Sequence, residues 1–366
     1  IWWVIKGNGY GHGALRMARG LVDVADGFAL IELDTAIALR EQGIAQPMLM
    51  MEGFYRGDEL SLFAQHGLTP VIHRLDQAAL LAESQLMMPM YLKLNTGMNR
   101  LGLDQGELKV ALDLLRGYDI TLMTHFSDAD DSLGIEHQMQ RLSVVTAGLR
   151  LARSLGNSAA LLRYPEAIGD WVRPGIMLYG ASPFPALRTA IDIGVRPVMT
   201  LLSELIAVRD LQAGDRVGYG GAFIADRDMR IGVVACGYGD GYPRHAPTGT
   251  PILVNGRRTR TVGRVSMDKI CIDLTGNSDA KVGSPVTLWG EGEGSQLSAD
   301  DVATSAGTVR YELFCALANR VPVSLAEGRQ ERGRSVHRAR RSTVADRIRS
   351  RRNGCNPRRN VSHRGQ

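Results

Sequence analysis

A lysine near the start of the chain stands in a setting that suits chemistry. Lys6 ends the apolar run "IWWVIK" and is followed at once by the glycine-rich stretch "GNGYGHG". A lysine amine that its surroundings keep partly deprotonated can act as a base or form a Schiff base with a carbonyl. The alternative is a strand-end lysine that extends into solvent, and position alone favours this alternative.

Two later segments carry groups of the kind that bind phosphate. Asn157 and Ser158 precede the apolar run "AALL", where they are suited to cap a helix, and Gly175 and Ile176 offer backbone N–H groups. Taken alone, these residues are explained more simply as a plain helix cap and a tight turn.

The elements that must position these residues alternate along the first half of the chain. Helical spacing of apolar residues at 15–25 and 108–115 separates short apolar runs. Such runs are typical of parallel strands that are buried on both faces. The six clear strand predictions are "WWVIK", "GFALI", "PMLMME", "TPVIH", "PMYLKLN" and "ITLMTHF".

Two weaker strand candidates complete an eightfold pattern. A long helix predicted over His137 to Leu155 leads to "ARSLGN" and "VRPGIMLYG". Eight alternating units close an α/β barrel, whose active site lies at the carboxyl ends of its strands. Lys6 ends the first strand candidate, Ser158 follows the seventh and Gly175 belongs to the eighth, so we expect them at that one edge.

The sequence pattern changes after about Pro197. Strand-like runs such as "RIGVVACGYGDGYPR" are broken there by Gly, Asp and Asn turns. We therefore predict an α/β fold: an α/β barrel over residues 1–197, followed by a mainly β domain over residues 198–323.

Composition excludes several protein classes. The 366 residues are 44% hydrophobic, enough for a barrel of about 250 residues and a smaller domain. No apolar run approaches the roughly 18 residues of a membrane span, so we expect a cytoplasmic protein. The spacing of Cys236, Cys271, Cys315 and Cys355 indicates reduced thiols and no metal site or disulfide framework. His66, His73 and His245 are expected at the surface.

Charge is concentrated at the carboxyl terminus. Between Ser324 and Gln366 thirteen arginines stand against three acidic residues, whereas the whole chain carries +5. With few large apolar residues, this segment is predicted to be a disordered basic tail. A nucleic-acid-binding arm is possible on charge alone, but a tail that simply lies in solvent is the preferred interpretation, so we expect no nucleic-acid partner.

Nine motifs, in this order, resemble those of the alanine racemases. They extend over residues 1–323, and agreement of all nine is far more specific than any one. The resemblance implies an α/β barrel followed by a β domain, pyridoxal 5'-phosphate as cofactor and a homodimer. The motifs are "VIKGNGYGHG", "LKLNTGMNRLG", "THFSDAD", "NSAALL", "DWVRPGIMLYGASP", "VGYGG", "GYGDGYPR", "VGRVSMDKICIDL" and "YELFCALANRVP".

The same resemblance assigns the cofactor-binding residues. Lys6 would hold the cofactor covalently, and Arg173 would face its pyridine nitrogen without giving up a proton. Both Asn157 and His125 are expected at the cofactor, His125 in a hydrogen-bond network behind Arg173. The residues expected to hold the phosphate are Tyr10, Ser158, Gly175, Ile176 and Tyr311.

Catalysis and substrate binding follow from the resemblance as well. Lys6 and Tyr238 would be bases on opposite faces of alanine, with Tyr238 supplied by the partner subunit. Met267, also from the partner, would offer its backbone N–H to the substrate carboxylate, which Arg100 would also contact. Lys93, a position often carbamylated in the family, and Asp268 are expected to support the site.

The chain also departs from the family pattern. It begins five residues before Lys6, so a preceding segment with one barrel helix is expected to be missing, and the basic tail has no counterpart. Glycine replaces alanine at Gly7 and Gly9, which would weaken a regular turn by roughly 1 kcal/mol per site. The alternatives to an alanine racemase are a broader amino-acid racemase and a truncated cofactor-binding protein with little turnover.

Overall fold

A parallel sheet forms the first half of the molecule. The computed structural model describes residues 1–325 and the backbone of residues 335–338. Seven strands are hydrogen-bonded in sequence order, each parallel to the next, and every one coincides with a predicted run. The strands are β1 (Trp2–Val4), β2 (Gly27–Leu30), β3 (Met48–Met50), β4 (Leu68–Ile72), β5 (Met90–Lys93), β6 (Ile120–Met123) and β7 (Ala152–Ser154).

Residues 171–174 join the two edges of this sheet. Trp171 forms a parallel bridge with Ser154 at the end of β7. On the other side, the Trp2 N–H in β1 donates to the Val172 carbonyl at 2.9 Å. The eighth position predicted for "VRPGIMLYG" is therefore occupied by this segment, and the predicted α/β barrel is confirmed.

Helices cover the outside of the barrel. Directly after β1 the chain makes one short turn, α1 (Lys6–Tyr10), which is not one of these outer helices. The outer helices are α2 (Ala14–Leu21), α3 (Leu33–Glu41), α4 (Leu60–His66), α5 (Leu75–Ser84), α6 (Gln105–Leu114), α7 (Glu136–Val145) and α8 (Ser158–Arg163). The helix predicted over His137 to Leu155 is wrong at its end. The chain turns at Gly148, where φ is +78°, and residues 152–154 then pair with β6 as β7.

Side chains of the barrel strands alternate between two cores. On β2, Phe28 and Leu30 pack with the helix layer, whereas Ala29 packs with the residues inside the barrel. All three side chains are buried. Because both faces are covered, β1 to β6 are mostly apolar and lack the polar alternation of a half-exposed sheet.

The second half of the chain is a mainly antiparallel β domain. Its long strand β8 pairs with β11 on one side and β15 on the other. The elements are β8 (Met199–Leu211), β9 (Arg216–Val217), β10 (Phe223–Ile224), β11 (Met229–Val234), β12 (Pro251–Val254), β13 (Arg257–Arg260), β14 (Ile270–Asp273), β15 (Pro285–Gly292), β16 (Ser295–Leu297), α9 (Ala299–Ser305), α10 (Arg310–Cys315), β17 (Val323–Leu325) and β18 (Ser335–Arg338).

Parts of the segment expected to be a disordered tail lie in strands. β17 contains Ser324 and Leu325 and pairs antiparallel with β18, which runs parallel to β8. The remainder of the predicted tail, with Cys355, lies outside the described residues.

Three smaller observations complete the fold. Among residues 1–325 and 335–338, no helix is long and apolar enough to cross a membrane. His73, expected at the surface, is buried, because its ring Nε2 lies 3.1 Å from the Glu52 carbonyl behind β4. Cys236, Cys271 and Cys315 are free thiols.

Candidate active site

The turn that carries Lys6 is left-handed. Gly7, Asn8 and Gly9 have φ values of 59°, 53° and 61°, and the Gly7 N–H donates to the Glu32 carboxylate at 3.0 Å. L-residues with a Cβ are strained in this conformation, whereas glycine adopts it readily. The cost stated for a regular turn therefore does not apply, because this turn is not regular and glycine suits both positions.

Basic side chains from several strand ends meet at the carboxyl edge of the barrel. We call them the mouth cluster: Lys6, Lys93, Arg100, His125 and Arg173. The Arg100 charge acts on the titration of Lys6, Lys93 and His125, and the Arg173 charge acts on that of Lys93 and His125. Glu52 is the nearby carboxylate that acts on both lysines. The cluster carries more positive than negative charge, which suits an anionic ligand.

Burial weakens the charged forms in this cluster. Desolvation, and then the Arg100 charge, lowers the pKa of Lys6. Desolvation, with Arg100 and Arg173, lowers the pKa of Lys93 to about 8. Burial followed by the Arg173 charge holds the pKa of His125 well below its usual range. His125 is therefore neutral at pH 7, and the Lys6 amine loses its proton more readily than a solvent-exposed lysine does.

Arg173 is a fixed cation at the centre of this edge. It is 4% exposed, and its Nη1 donates to the carbonyl and hydroxyl oxygens of Ser154 at 2.7 and 2.6 Å. Its Nη2 donates to the carbonyls of Thr124 and Leu155. All four acceptors are neutral. Burial lowers the pKa of Arg173 to about 10, which still leaves the guanidinium charged at neutral pH.

Hydroxyl and backbone donors converge beside the mouth cluster. We call Tyr10, Ser158, Gly175 and Tyr311 the phosphate cluster. The Gly175 N–H donates to the Ser158 hydroxyl at 2.8 Å, and a Cβ on Gly175 would lie 2.8 Å from the Tyr10 hydroxyl. The rings of Tyr10 and Tyr311 have centroids 5.6 Å apart. Ile176 follows Gly175 and begins a short 3-10 helix.

Asn157 positions this cluster from behind. Its Oδ1 accepts the Ala160 N–H at 3.0 Å and caps α8, and its Nδ2 donates to the Phe126 carbonyl at 3.0 Å. The plain helix cap is thus what the structure has at Asn157. The cap fixes Ser158 as the first residue of α8.

The site residues of the β domain lie on two adjoining loops at the surface. Tyr238 is 37% exposed and Met267 is 53% exposed. Gly239 N–H donates to the Met267 carbonyl at 2.8 Å, and Asp268 pairs with Arg320 at 2.9 Å. Among the described residues, no hydrogen bond or ion pair joins Tyr238 or Met267 to the mouth cluster. The chain brings the predicted residues together as two groups.

Three residues near Lys6 escaped the sequence prediction. Glu32 and Glu52 both act on the Lys6 charge, and the Cys315 sulfur would lie 3.7 Å from a Cβ on Gly7. Glu32 and Glu52 directly follow the strand runs "GFALI" and "PMLMM", which is the same signal that singled out Lys6. Cys315 gives no such signal, since α10 packs on α1 only in the folded chain.

Family models match both halves of the molecule. Residues 1–183 match the model described as alanine racemase, N-terminal domain, and residues 198–325 match the one described as alanine racemase, C-terminal domain. The chain belongs to the alanine racemase family. Members of this family are isomerases that use pyridoxal 5'-phosphate.

Individual alanine racemases are similar over most of their length. The alanine racemase of Nitrosomonas eutropha is 54% identical over 330 residues, covering 87% of this chain and 90% of its own. A catabolic alanine racemase of Salmonella typhimurium is 50% identical, covering 88% of this chain and 91% of its own. The crystal structure of the biosynthetic alanine racemase from Pseudomonas aeruginosa superposes with a TM-score of 0.84 at 42% identity, covering 88% and 90%.

The residues present fit pyridoxal 5'-phosphate. A half-buried amine of lowered pKa suits covalent attachment of its aldehyde, as at Lys6. The phosphate cluster offers hydroxyls and a backbone N–H at the barrel edge where phosphates often bind. Arg173 adds a permanent cation fixed by four hydrogen bonds. The donors, the charge and the nucleophile that this cofactor needs are all on one edge.

Proposed function

We propose that this chain interconverts L- and D-alanine as a homodimer, with pyridoxal 5'-phosphate bound at the mouth cluster. The observation that carries the proposal is the half-buried Lys6 amine of lowered pKa, at the same strand edge as the fixed cation of Arg173. Alanine is preferred to a broader range of substrates because the similar proteins are named for alanine.

The cofactor would be held by residues of one chain. Lys6 would bind it covalently, and the phosphate cluster with the Ile176 N–H would hold its phosphate. When bound, the cofactor withdraws electrons from the α-carbon of the amino acid and so makes the α-proton acidic. Arg173 keeps its own proton and would donate a hydrogen bond to the pyridine nitrogen, which leaves that nitrogen unprotonated.

Two bases on opposite faces of alanine would complete the reaction. Lys6 Nζ would exchange a proton with one face of the α-carbon, and the Tyr238 hydroxyl would exchange a proton with the other face. A proton removed by one base and a proton delivered by the other invert the configuration. Since Tyr238 is partly exposed and, among the described residues, has no hydrogen bond to the mouth cluster, we propose that the partner subunit supplies it.

The remaining predicted residues would bind or support the substrate. Arg100 would contact the alanine carboxylate and steady the partner's tyrosine, and the Met267 N–H from the partner would contact the same carboxylate. Lys93 and His125 would set the electrostatics of the site, since both lie in the mouth cluster. Asp268 would hold the loop that carries Met267.

Covalent labelling tests this assignment directly. Borohydride reduction of the protein with bound cofactor should fix a pyridoxyl group on the peptide "VIKGNGYGHG", located by mass spectrometry. Racemisation should be measured in parallel with L-alanine and L-serine, and L-alanine should be preferred. A label on Lys93 or Lys269 would contradict the role of Lys6, and equal rates for the two substrates would favour a broader racemase.

A further inference from the structure

The loop that carries Tyr238 is fixed at its backbone although its side chain is exposed. The Tyr238 N–H donates to the Ser266 carbonyl at 3.1 Å, and the Gly239 N–H donates to the Met267 carbonyl at 2.8 Å. A Cβ on Gly237 would lie 2.2 Å from the Ser266 carbonyl oxygen, so only glycine permits this approach. The Tyr238 loop and the Met267 loop are thus one unit.

Arg320 lies across both loops. Its Nε pairs with the Asp240 carboxylate at 2.8 Å, and its Nη2 pairs with the Asp268 carboxylate at 2.9 Å. The same Nη2 lies 3.5 Å from the Met267 carbonyl. Asp240 follows Tyr238 by two residues and Asp268 follows Met267 by one. A single guanidinium therefore bridges the two segments that the proposed function assigns to the partner's active site.

The two carboxylates that pair with Arg320, those of Asp240 and Asp268, can restrain the loops that carry them. The Asp240 side chain is 14% exposed, and its second oxygen accepts the Gly237 N–H at 3.0 Å. The turn around Tyr238 is therefore closed by the same carboxylate that Arg320 holds. The planar fork of arginine can meet two carboxylates at once, whereas a lysine ammonium is a single point charge. An isolated surface pair would contribute little, but here three groups share one network.

We propose that Arg320 is a positioning residue that holds Tyr238 and the Met267 backbone in the geometry needed for proton transfer in the partner's site. An exposed phenol that must meet one carbon atom of a small substrate has to be aimed before the subunits meet, and a misplacement of 1 Å can cost about 10²-fold in rate. The inference rests on the proposed function, because it assumes that Tyr238 is the second base.

Hydrogen isotope exchange at the α-carbon distinguishes a misplaced Tyr238 hydroxyl from a general loss of enzyme activity. In D2O, a base on one face can remove the α-proton, exchange it with solvent and return a deuteron to the same face, so that hydrogen is replaced without inversion. We expect Tyr238→Phe to stop racemisation while one alanine enantiomer still incorporates deuterium with retention through Lys6. Arg320→Met should show the same pattern more weakly: racemisation falls about 10²-fold, and one-sided exchange falls less than about threefold.

A second measurement does not depend on turnover. Hydrogen–deuterium exchange of the backbone amides in residues 237–241 should be about tenfold faster in Arg320→Met than in the unchanged protein. Arg257→Met is the matched control, since Arg257 forms one exposed ion pair with Asp279 on another part of the β domain. Arg257→Met should leave both the deuterium incorporation into alanine and the backbone amide exchange unchanged. Arg320→Lys, which can hold only one carboxylate firmly, should lie between the unchanged protein and Arg320→Met.

The possible failures are distinguishable. If Tyr238→Phe racemises alanine at the original rate, the proposed function is wrong. The role of Arg320 is tested once Tyr238→Phe shows one-sided deuterium exchange. That role is wrong if Arg320→Met loses deuterium exchange equally on both alanine enantiomers. It is also wrong if Arg320→Met keeps the original rates of racemisation and exchange. If Arg320→Met does not form dimers by sedimentation, Arg320→Lys is tested by the same two measurements, and unchanged values would overturn the inference.

Discussion

The barrel mouth and the Tyr238 loop hold their functional groups in opposite ways. Lys93 and Arg173 are 6% and 4% exposed, and burial lowers the pKa of both. Tyr238 and Met267 are 37% and 53% exposed, on loops fixed through their backbones. Burial within one chain thus lowers the pKa of the barrel groups, whereas the two residues proposed to act in a partner's site are accessible in the single chain.

The strongest test of this difference mixes two inactive proteins. Lys6→Ala and Tyr238→Phe should each be nearly inactive, because each removes one of the two bases. After subunit exchange, half the dimers should be hybrids, and one of the two sites in each hybrid combines an intact Lys6 with an intact Tyr238. About a quarter of the original activity should reappear, if exchange is random and the sites are independent.

The control for this experiment is each variant carried through the exchange alone, which should stay inactive. Complete exchange, verified by mass spectrometry, with no recovered racemisation would show that the site is built within one chain. The proposal that the Tyr238 loop of one chain completes the barrel site of another chain would then be wrong.

The buried Lys93 side chain should make the stability of the barrel depend on pH. Its pKa of about 8 in the fold lies below the ordinary 10.5, so the unfolded chain binds more protons between these values. The free energy of unfolding should therefore rise with pH from about 8 to 10.5, by about 3 kcal/mol from this residue. Below pH 8 the buried charge destabilises the fold, so Lys93→Met should be more stable at pH 7 and lack the rise.

Urea denaturation of the cofactor-free protein in bicarbonate-free buffer measures this effect. Lys109→Met, at an exposed position on α6, is the matched control and should retain the pH dependence. A Lys93→Met protein with the same pH slope as the unchanged chain would mean that Lys93 is not the buried titrating group.

Gly175→Ala tests how tightly the phosphate cluster is packed. The added Cβ would lie 2.8 Å from the Tyr10 hydroxyl, so the phenol must move away from the proposed phosphate site. We expect the dissociation constant for pyridoxal 5'-phosphate to rise about tenfold, measured by absorbance titration of the cofactor-free protein. Gly276→Ala is the control, since a Cβ there meets open space. Unchanged affinity in Gly175→Ala would contradict the assignment of this cluster.

The smallest expected effect concerns the left-handed turn. Gly7→Ala should lower the free energy of unfolding by about 1 kcal/mol, because φ is +59° at this position. Gly20→Ala, in α2 with open space around it, should raise the free energy of unfolding by up to about 1 kcal/mol. Chemical denaturation compares the two. A stabilising effect of Gly7→Ala would mean that the turn after Lys6 is regular after all.

Much of the barrel could be predicted from the sequence because its strands are buried on both faces. Each of the six β1–β6 runs is a short, mostly apolar segment that can be recognised without knowing its neighbours. The boundary at Leu155 could not be predicted. The apolar spacing continues past Val145, and only pairing with β6 turns residues 152–154 into a strand.

The active-site residues likewise divide into those that the sequence predicts and those that it does not. Lys6, Ser158 and Gly175 were detectable because each follows a strand, and parallel strands place their carboxyl ends at one edge. Glu32 and Glu52 carry the same signal and were overlooked. Arg320 and Cys315 carry none, since the segment after α10 meets the Tyr238 loop and the turn of Lys6 only through long-range packing.

The sequence by itself therefore determined the order of the elements, the family and the residue types at the strand ends. These depend on local apolar patterns and on motifs that persist along the chain. Only the tertiary structure decided the left-handed turn at Gly7, the lowered pKa of Lys93 and the bridge from Arg320 to two carboxylates. Each of these depends on burial or on a distance between residues far apart in the chain, and neither quantity is written in local sequence.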